Sequence, residues 1–192
     1  MESNNTTPQY LADHFLIAMP TLEDANFTHS VTYICEHSAE GAMGVTINRP
    51  SDIVLKEVLD QSHIDIARPA IGQEIIYLGG PVHPDRGFIL HDKSEHNWES
   101  SLDITDNLQL TSSKDILEAI AIDEGPKEHL ITLGYAGWGS GQLESEIADN
   151  IWLSCPATED IIFHTPVEKR WESAASLLGI DLQLLSNDAG HA

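Results

Sequence analysis

Basic residues are scarce in this sequence. Nine lysines and arginines stand against 31 aspartates and glutamates, a formal net charge of −22. The nine are scattered, and only Lys169 and Arg170 are neighbours. Affinity for a duplex comes largely from clustered Lys and Arg that neutralise phosphates, so direct nucleic-acid binding is disfavoured. Cysteine is nearly absent as well: Cys35 and Cys155 lie about 120 positions apart. They form no CxxC pair, no Cys–His metal spacing and no disulfide framework. Two isolated thiols read as small buried hydrophobes, and they become a redox pair only if the fold brings them together. No apolar run reaches the roughly 20 residues of a membrane helix. Met1–Pro8 lacks the basic and apolar regions of a secretory leader. The expectation is a soluble, cytoplasmic protein that engages no membrane.

What is present suits one domain. The chain has 192 residues, 41% of them hydrophobic, enough for a core. Residues 1–10 read as a loose polar N-terminus and 11–192 as a single domain. Short apolar runs at Phe15–Met19, Val31–Cys35 and Ala42–Ile47 predict strands, the last two joined as an antiparallel hairpin through Ser38–Gly41. Ile75–Leu78 and Gly87–His91 predict a second hairpin across Gly79-Gly-Pro81. Ile151–Ser154 and Asp160–Phe163 predict the last strands. Helices are expected over 53–59, from Ser112 or Ser113 onward, and up to about Ala148. A final helix carries Thr165 as N-cap, Pro166 at N1 and Glu168 completing a capping box. Strands and helices mix without regular βαβ alternation, so the fold class is α+β with a mixed or mainly antiparallel sheet.

The densest signal is Gly134-Tyr-Ala-Gly-Trp-Gly-Ser-Gly-Gln-Leu-Glu144, which follows the apolar strand Leu130–Leu133. Glycine at that density permits left-handed turns and close approach. The run lacks the lysine of a Walker A loop and the spacing of a dinucleotide fingerprint. It also lacks the spacing of a GxSxG nucleophile elbow. It reads as a tight turn with Trp138 over the core and Ser140 capping, or as a contact surface centred on Trp138 and Gln142. Ten histidines are present, yet no pattern assigns one as a base or gathers several into a metal site. Neither metal nor cofactor is called for. Asn48-Arg49-Pro50 closes an apolar strand, and an arginine there either pairs with a buried acid or offers its guanidinium to a carboxylate. Few other bases compete, so Arg49 is the best single anion-binding candidate. The candidate contact surface thus comprises Asn48, Arg49, Gly79, Gly80, Trp138 and Gln142.

Several blocks occur in one order: Phe15-Leu-Ile-Ala-Met-Pro20, Gly44-Val-Thr-Ile-Asn-Arg-Pro50, Gly79-Gly-Pro-Val82, Phe88-Ile-Leu-His91, Gly134 to Glu144, Asn150-Ile-Trp-Leu153 and Gly190-His-Ala192. Together they resemble the YqgE/AlgH family (UPF0301, DUF179) over about residues 10–192. The resemblance implies a bacterial cytoplasmic protein whose bifurcated sheet folds towards a pseudo-barrel flanked by helices. It also implies a label as a transcriptional regulator of alginate synthesis, with no catalytic residue set attached. Three readings follow. One is a non-catalytic binding or regulatory module that contacts a protein partner or small ligand. Another is a hydrolase-like enzyme on a small anionic substrate, expected if a pocket joins Arg49, a histidine and Ser140 or Cys35. The last is a transcriptional regulator, which this charge balance would make act through another protein.

Overall fold

Phe15 and Ile17 point to one face of their strand and Leu16 and Ala18 to the other, and all four are buried. A strand covered on both faces reads as a continuous apolar run, and Phe15–Ala18 is one. In the computed structural model, which describes residues 10–182, 184 and 185, this is β1 (His14–Ala18). It lies between β2 (Val31–Ser38) and β10 (Trp152–Pro156), antiparallel to both. The expectations for residues 1–9 and for Gly190-His-Ala192 lie outside the described residues. The hairpin of β2 with β3 (Gly41–Thr46) forms as anticipated, closing at Ser38 opposite Gly41.

The sheet splits at β9 (His129–Gly139). One edge of β9 pairs antiparallel with β6 (Val82–Asp92). Along the other edge, residues 131–133 pair in parallel with β5 (Ile75–Leu78), and residues 136–139 pair antiparallel with β3. The sheet runs β10-β1-β2-β3-β9-β6-β8-β7, with β8 at Leu108–Thr111 and β7 at Ser101–Asp103. A branch pairs β5 with β4 (Pro50–Val54). The result is a curled, bifurcated, mostly antiparallel sheet in a single α+β domain.

β5 and β6 are therefore not the hairpin that their spacing predicts. They flank β9 on opposite edges, and the chain crosses β9 at Gly79-Gly80. The crossing is backbone against backbone. A Cβ at Gly79 would sit 2.3 Å from the Gly134 carbonyl oxygen, and one at Gly80 would sit 2.2 Å from the Tyr135 carbonyl carbon. Gly134 itself is left-handed at φ +71, with the Gly80 oxygen 2.3 Å from its Cβ position. Three glycines meet where only glycine fits.

Helices cover the sheet. α1 (Leu55–Gln61) and α2 (Lys114–Ala121) bury Leu55, Leu59, Ile116 and Ile120 against Ile76, Ile89 and Ile131. α3 (Gln142–Ala148) seats Leu143 among Leu16, Ala18, Trp138 and Trp152. α4 (Arg170–Ser176) packs Ala174 and Ala175 with Phe15, Val31 and Tyr33. Both cysteines lie in that last cluster as buried free thiols.

Three local expectations need correction. Strand β9 runs on through Gly139, so Trp138 is a strand residue rather than part of a turn. Asp160–His164 is a turn of π-helix, closed by the Thr165 amide donating to the Asp160 carbonyl at 2.8 Å. Successive strand residues face opposite sides, whereas Ile161 and Ile162 are buried in the same cluster. The Thr165 hydroxyl donates to the Asp160 carbonyl at 3.2 Å, so it serves that turn and makes no capping box for the last helix. Pro166 remains extended at ψ 138. A 3-10 turn over Val167–Lys169 then leads into α4.

Candidate functional site

The six residues anticipated as a surface separate into three settings. Asn48 and Arg49 sit where β3 ends. The Asn48 side chain accepts from the Val31 amide at 2.8 Å and donates to the His29 carbonyl at 2.9 Å. Backbone bonds fix the same segment, with Leu78 donating to the Arg49 carbonyl at 2.7 Å. Arg49 is half-buried and has no carboxylate within ion-pair distance among the described residues. The buried pair expected for it is absent there. Its Nη1 is shielded from solvent without a hydrogen-bond partner.

Trp138 and Gln142 belong to a closed network. The Trp138 and Trp152 indole N–H groups both donate to Glu146 Oε2, at 2.9 and 2.8 Å. Gln142 donates to Glu146 Oε1 at 2.9 Å and accepts from the Gly139 amide at 3.0 Å. The glycine-rich motif thus clamps α3 onto β9. Ser140 does not cap the helix, because its hydroxyl donates to the Ala39 carbonyl at 2.6 Å. Gly79 and Gly80 form the crossing described above. Trp138 and Arg49 line different clefts.

A cleft of about 640 Å³ lies across β2, β3, β9 and β6. Its size falls in the range of ligand sites. Met43, Val82, Phe88 and Tyr135 provide apolar lining, with Glu36 and Glu40 at one side and His83 and Arg86 at the other. The register of β6 against β9 breaks between Val82 and Gly87, and this frees residues 83–86 from the ladder. His83 is left-handed at φ +47, a conformation that costs a non-glycine residue energy. Its ring lies 6.1 Å from Tyr135, which packs edge-on against Phe88 at 5.5 Å. The Arg86 guanidinium rests 5.3 Å from the Phe88 ring centre and donates to the Ser112 hydroxyl at 2.9 Å. Gly137, facing Met43 across the ladder, leaves the floor open. Of the residues lining this cleft, sequence reasoning reached only Gly137 and Trp138 as a site, both within the glycine-rich run. The available signal was the pair Asp85 and Arg86 interrupting an otherwise strand-like stretch before Gly87.

Nucleophile and base candidates are dispersed. Burial pushes the Cys35 and Cys155 thiols up, away from the reactive thiolate. His91 is buried; its Nδ1 donates to the Asp92 carbonyl and its Nε2 accepts from the Thr111 hydroxyl, both at 2.8 Å. Desolvation holds its pKa below the usual histidine value. His129 differs. Burial opposes its charge, but the Glu74 carboxylate at 2.7 Å and the Pro126 carbonyl at 3.0 Å hold its pKa above the ordinary value. Arg49 does share a cleft with His29, but neither Ser140 nor Cys35 lines it. No group of three or more His, Cys, Asp or Glu is placed to hold a metal among the described residues.

One buried cation escaped the sequence reading. Arg170, read as half of a basic pair, donates to the carbonyls of Ile47 and Thr165 and lies over the Tyr77 ring at 5.3 Å. It ties α4 to the end of β3, next to Asn48 and Arg49.

A curled sheet that splits at one central strand, with helices on its faces, defines a single-domain α+β half-barrel. The chain belongs to the DUF179, AlgH-like family, whose model matches residues 15–183. It is 56% identical over 188 residues to a UPF0301 protein of Thioalkalivibrio sulfidiphilus (strain HL-EbGR7), covering 97% of this chain and 100% of that one. It is 51% identical to a UPF0301 protein of Pseudomonas fluorescens (strain Pf0-1), over 98% and 99% of the two chains. The solution structure of the AlgH protein from Pseudomonas aeruginosa aligns with a TM-score of 0.78 at 51% identity, covering both chains fully.

Proposed function

We propose that this protein is a non-catalytic binding or regulatory module of the cytoplasm. It acts by seating a small ligand, or a segment of a protein partner, in the cleft across β2, β3, β9 and β6. One observation carries this reading: an open cleft of about 640 Å³ pairs an aromatic wall with polar groups of both signs. Sites of that composition orient ligands through a few polar groups on an apolar floor. The strained His83 and the freed 83–86 segment place their cost at this cleft, where strain commonly accompanies function.

The hydrolase-like alternative gains nothing from the arrangement of Ser140, Cys35 and the histidines. For transcription, the reading is indirect action through another protein. Of the scattered bases, Arg68 is ion-paired with Asp123 and Arg170 is buried, so neither adds free positive charge to a face for DNA.

The test uses Gly137→Val. A Cβ at Gly137 would make only ordinary van der Waals contacts, the nearest at 3.4 Å from Tyr135, so the variant is expected to fold while filling the cleft. Wild type and variant are used for affinity capture from bacterial lysate, with and without nuclease, and retained proteins and small molecules are identified by mass spectrometry. The expected result is a specific retained species lost in the variant and insensitive to nuclease. Retention of nucleic acid by both forms contradicts the proposal.

A further inference from the structure

A second cleft, of about 540 Å³, shares no lining residue with the first. Arg49, Asn48, His29, Trp171 and Glu168 line it. The chain has four arginines, and the other three are committed: Arg68 to Asp123, Arg86 to Ser112, Arg170 to backbone carbonyls. Arg49 alone has its Nη1 enclosed and unpartnered, with no ion pair among the described residues. Nη1 is closed off, whereas Nε and Nη2, which have no hydrogen-bond partner among the described residues, keep accessible surface through which an acceptor in the cleft can reach the guanidinium.

The surroundings are rigid. Asn48 is bonded at both ends of its amide. His29 is held left-handed at φ 54, and its ring lies 4.3 Å from Trp171. The Trp171 indole is pinned by its N–H to the Ala18 carbonyl at 2.9 Å. An aromatic wall and a guanidinium without an ion pair among the described residues therefore border one cleft, on a backbone and an indole fixed by bonds that do not depend on a ligand.

We propose that this cleft is an anion-binding site for a small ligand bearing a carboxylate or phosphate beside a flat ring. The oxyanion neutralises Arg49, whose forked donors suit both groups. The ring packs against Trp171 and His29. Glu168, the one acid lining the cleft, lies beyond ion-pair distance from Arg49 and sets an electrostatic penalty against multiply charged anions.

The full chain, labelled with ¹⁵N, is titrated with inorganic phosphate, benzoate and phenyl phosphate at constant ionic strength. The Trp171 indole N–H and the amides of Thr28, His29 and Asn48 are followed. Saturable shifts at these positions are expected, with the ring-bearing anions binding more tightly than phosphate. Benzoate and phenyl phosphate share the ring, so the tighter of the two identifies the oxyanion. Arg49→Gln weakens binding about tenfold or more, Arg49→Lys weakens it less, and Glu168→Gln tightens it. Without ligand, Arg49→Gln melts no lower than wild type, because it removes an unpartnered charge. Three results overturn the proposal: no saturation by any probe up to about 20 mM, equal affinity in Arg49→Gln, or a clear fall in the melting temperature of that variant. Arg49→Lys gives the second check, and unchanged affinity there for all three anions also counts against the site.

Discussion

His91 and His129 carry opposite signatures because their ring nitrogens meet different partners. Both His129 nitrogens face acceptors, Glu74 and Pro126, an arrangement made for the imidazolium. Its pKa is raised in the fold, so its stabilisation is complete below the ordinary value of 6.5 and is lost as pH rises through the folded value. His91 meets one acceptor and one donor, which suits a neutral ring. Its pKa is lowered, so its contribution is intact above 6.5 and is lost as pH falls towards the folded value. Urea unfolding at about pH 5.5 and pH 8.5 separates them. His129→Gln destabilises more at the acidic pH, and His91→Gln destabilises more at the alkaline one. Glu146 makes a further case at this scale, since one carboxylate serves two indoles and Gln142. Glu146→Ala orphans both indole N–H groups and lowers unfolding stability by about 2 kcal/mol or more, read from the urea midpoint at constant slope.

At the scale of elements, the crossing over β9 organises the fold. Gly134→Ala places a methyl 2.3 Å from the Gly80 oxygen on a left-handed backbone. Gly141 is equally left-handed at φ +71 but has open space around its Cβ position. Gly141→Ala therefore costs only the conformational strain, about 1 kcal/mol, while Gly134→Ala costs several-fold more or prevents folding. Comparable unfolding midpoints for the two would refute the crossing as the reason for glycine. Much of this level was legible in the sequence. Apolar runs marked β1, β2, β3, β5 and β10, and the spacing of Ile116, Leu117, Ile120 and Ala121 marked the inward face of α2, with Leu117 only partly buried. The hairpin assigned to Gly79-Gly-Pro81 was not legible as a crossing. Sequence proximity favours pairing neighbours, and the contact with Gly134 spans more than fifty residues. Asp160–Phe163 misled for a related reason, since four apolar-rich residues carry no period long enough to separate strand from helical turn. Of the candidate site, Arg49 was visible as a rare base after a strand. The cleft at His83, Arg86 and Tyr135 was not, because its walls come from the β2–β3 hairpin, β6 and β9, which lie far apart in sequence.

The whole molecule is dominated by acid. A net charge of −22 on 192 residues makes the folded state repel itself, and dissolved salt screens that repulsion. Thermal stability is expected to rise between low and physiological ionic strength. A melting temperature that falls with added salt would mean that the surface ion pairs, such as Lys56–Asp60 and Arg68–Asp123, outweigh the excess of acid. On the function proposed above, contacts are made at the clefts rather than with nucleic acid. The central claim is that the cleft across β2, β3, β9 and β6 seats a ligand. It is tested most directly by mapping amide shifts of the ¹⁵N-labelled full chain against a library of aromatic fragments. The account predicts shifts clustered at residues 41–43, 82–88 and 135–138, abolished by Gly137→Val in a chain whose remaining spectrum is unchanged. Fragments that bind equally well to that variant, or whose shifts fall elsewhere on the sheet, would contradict it.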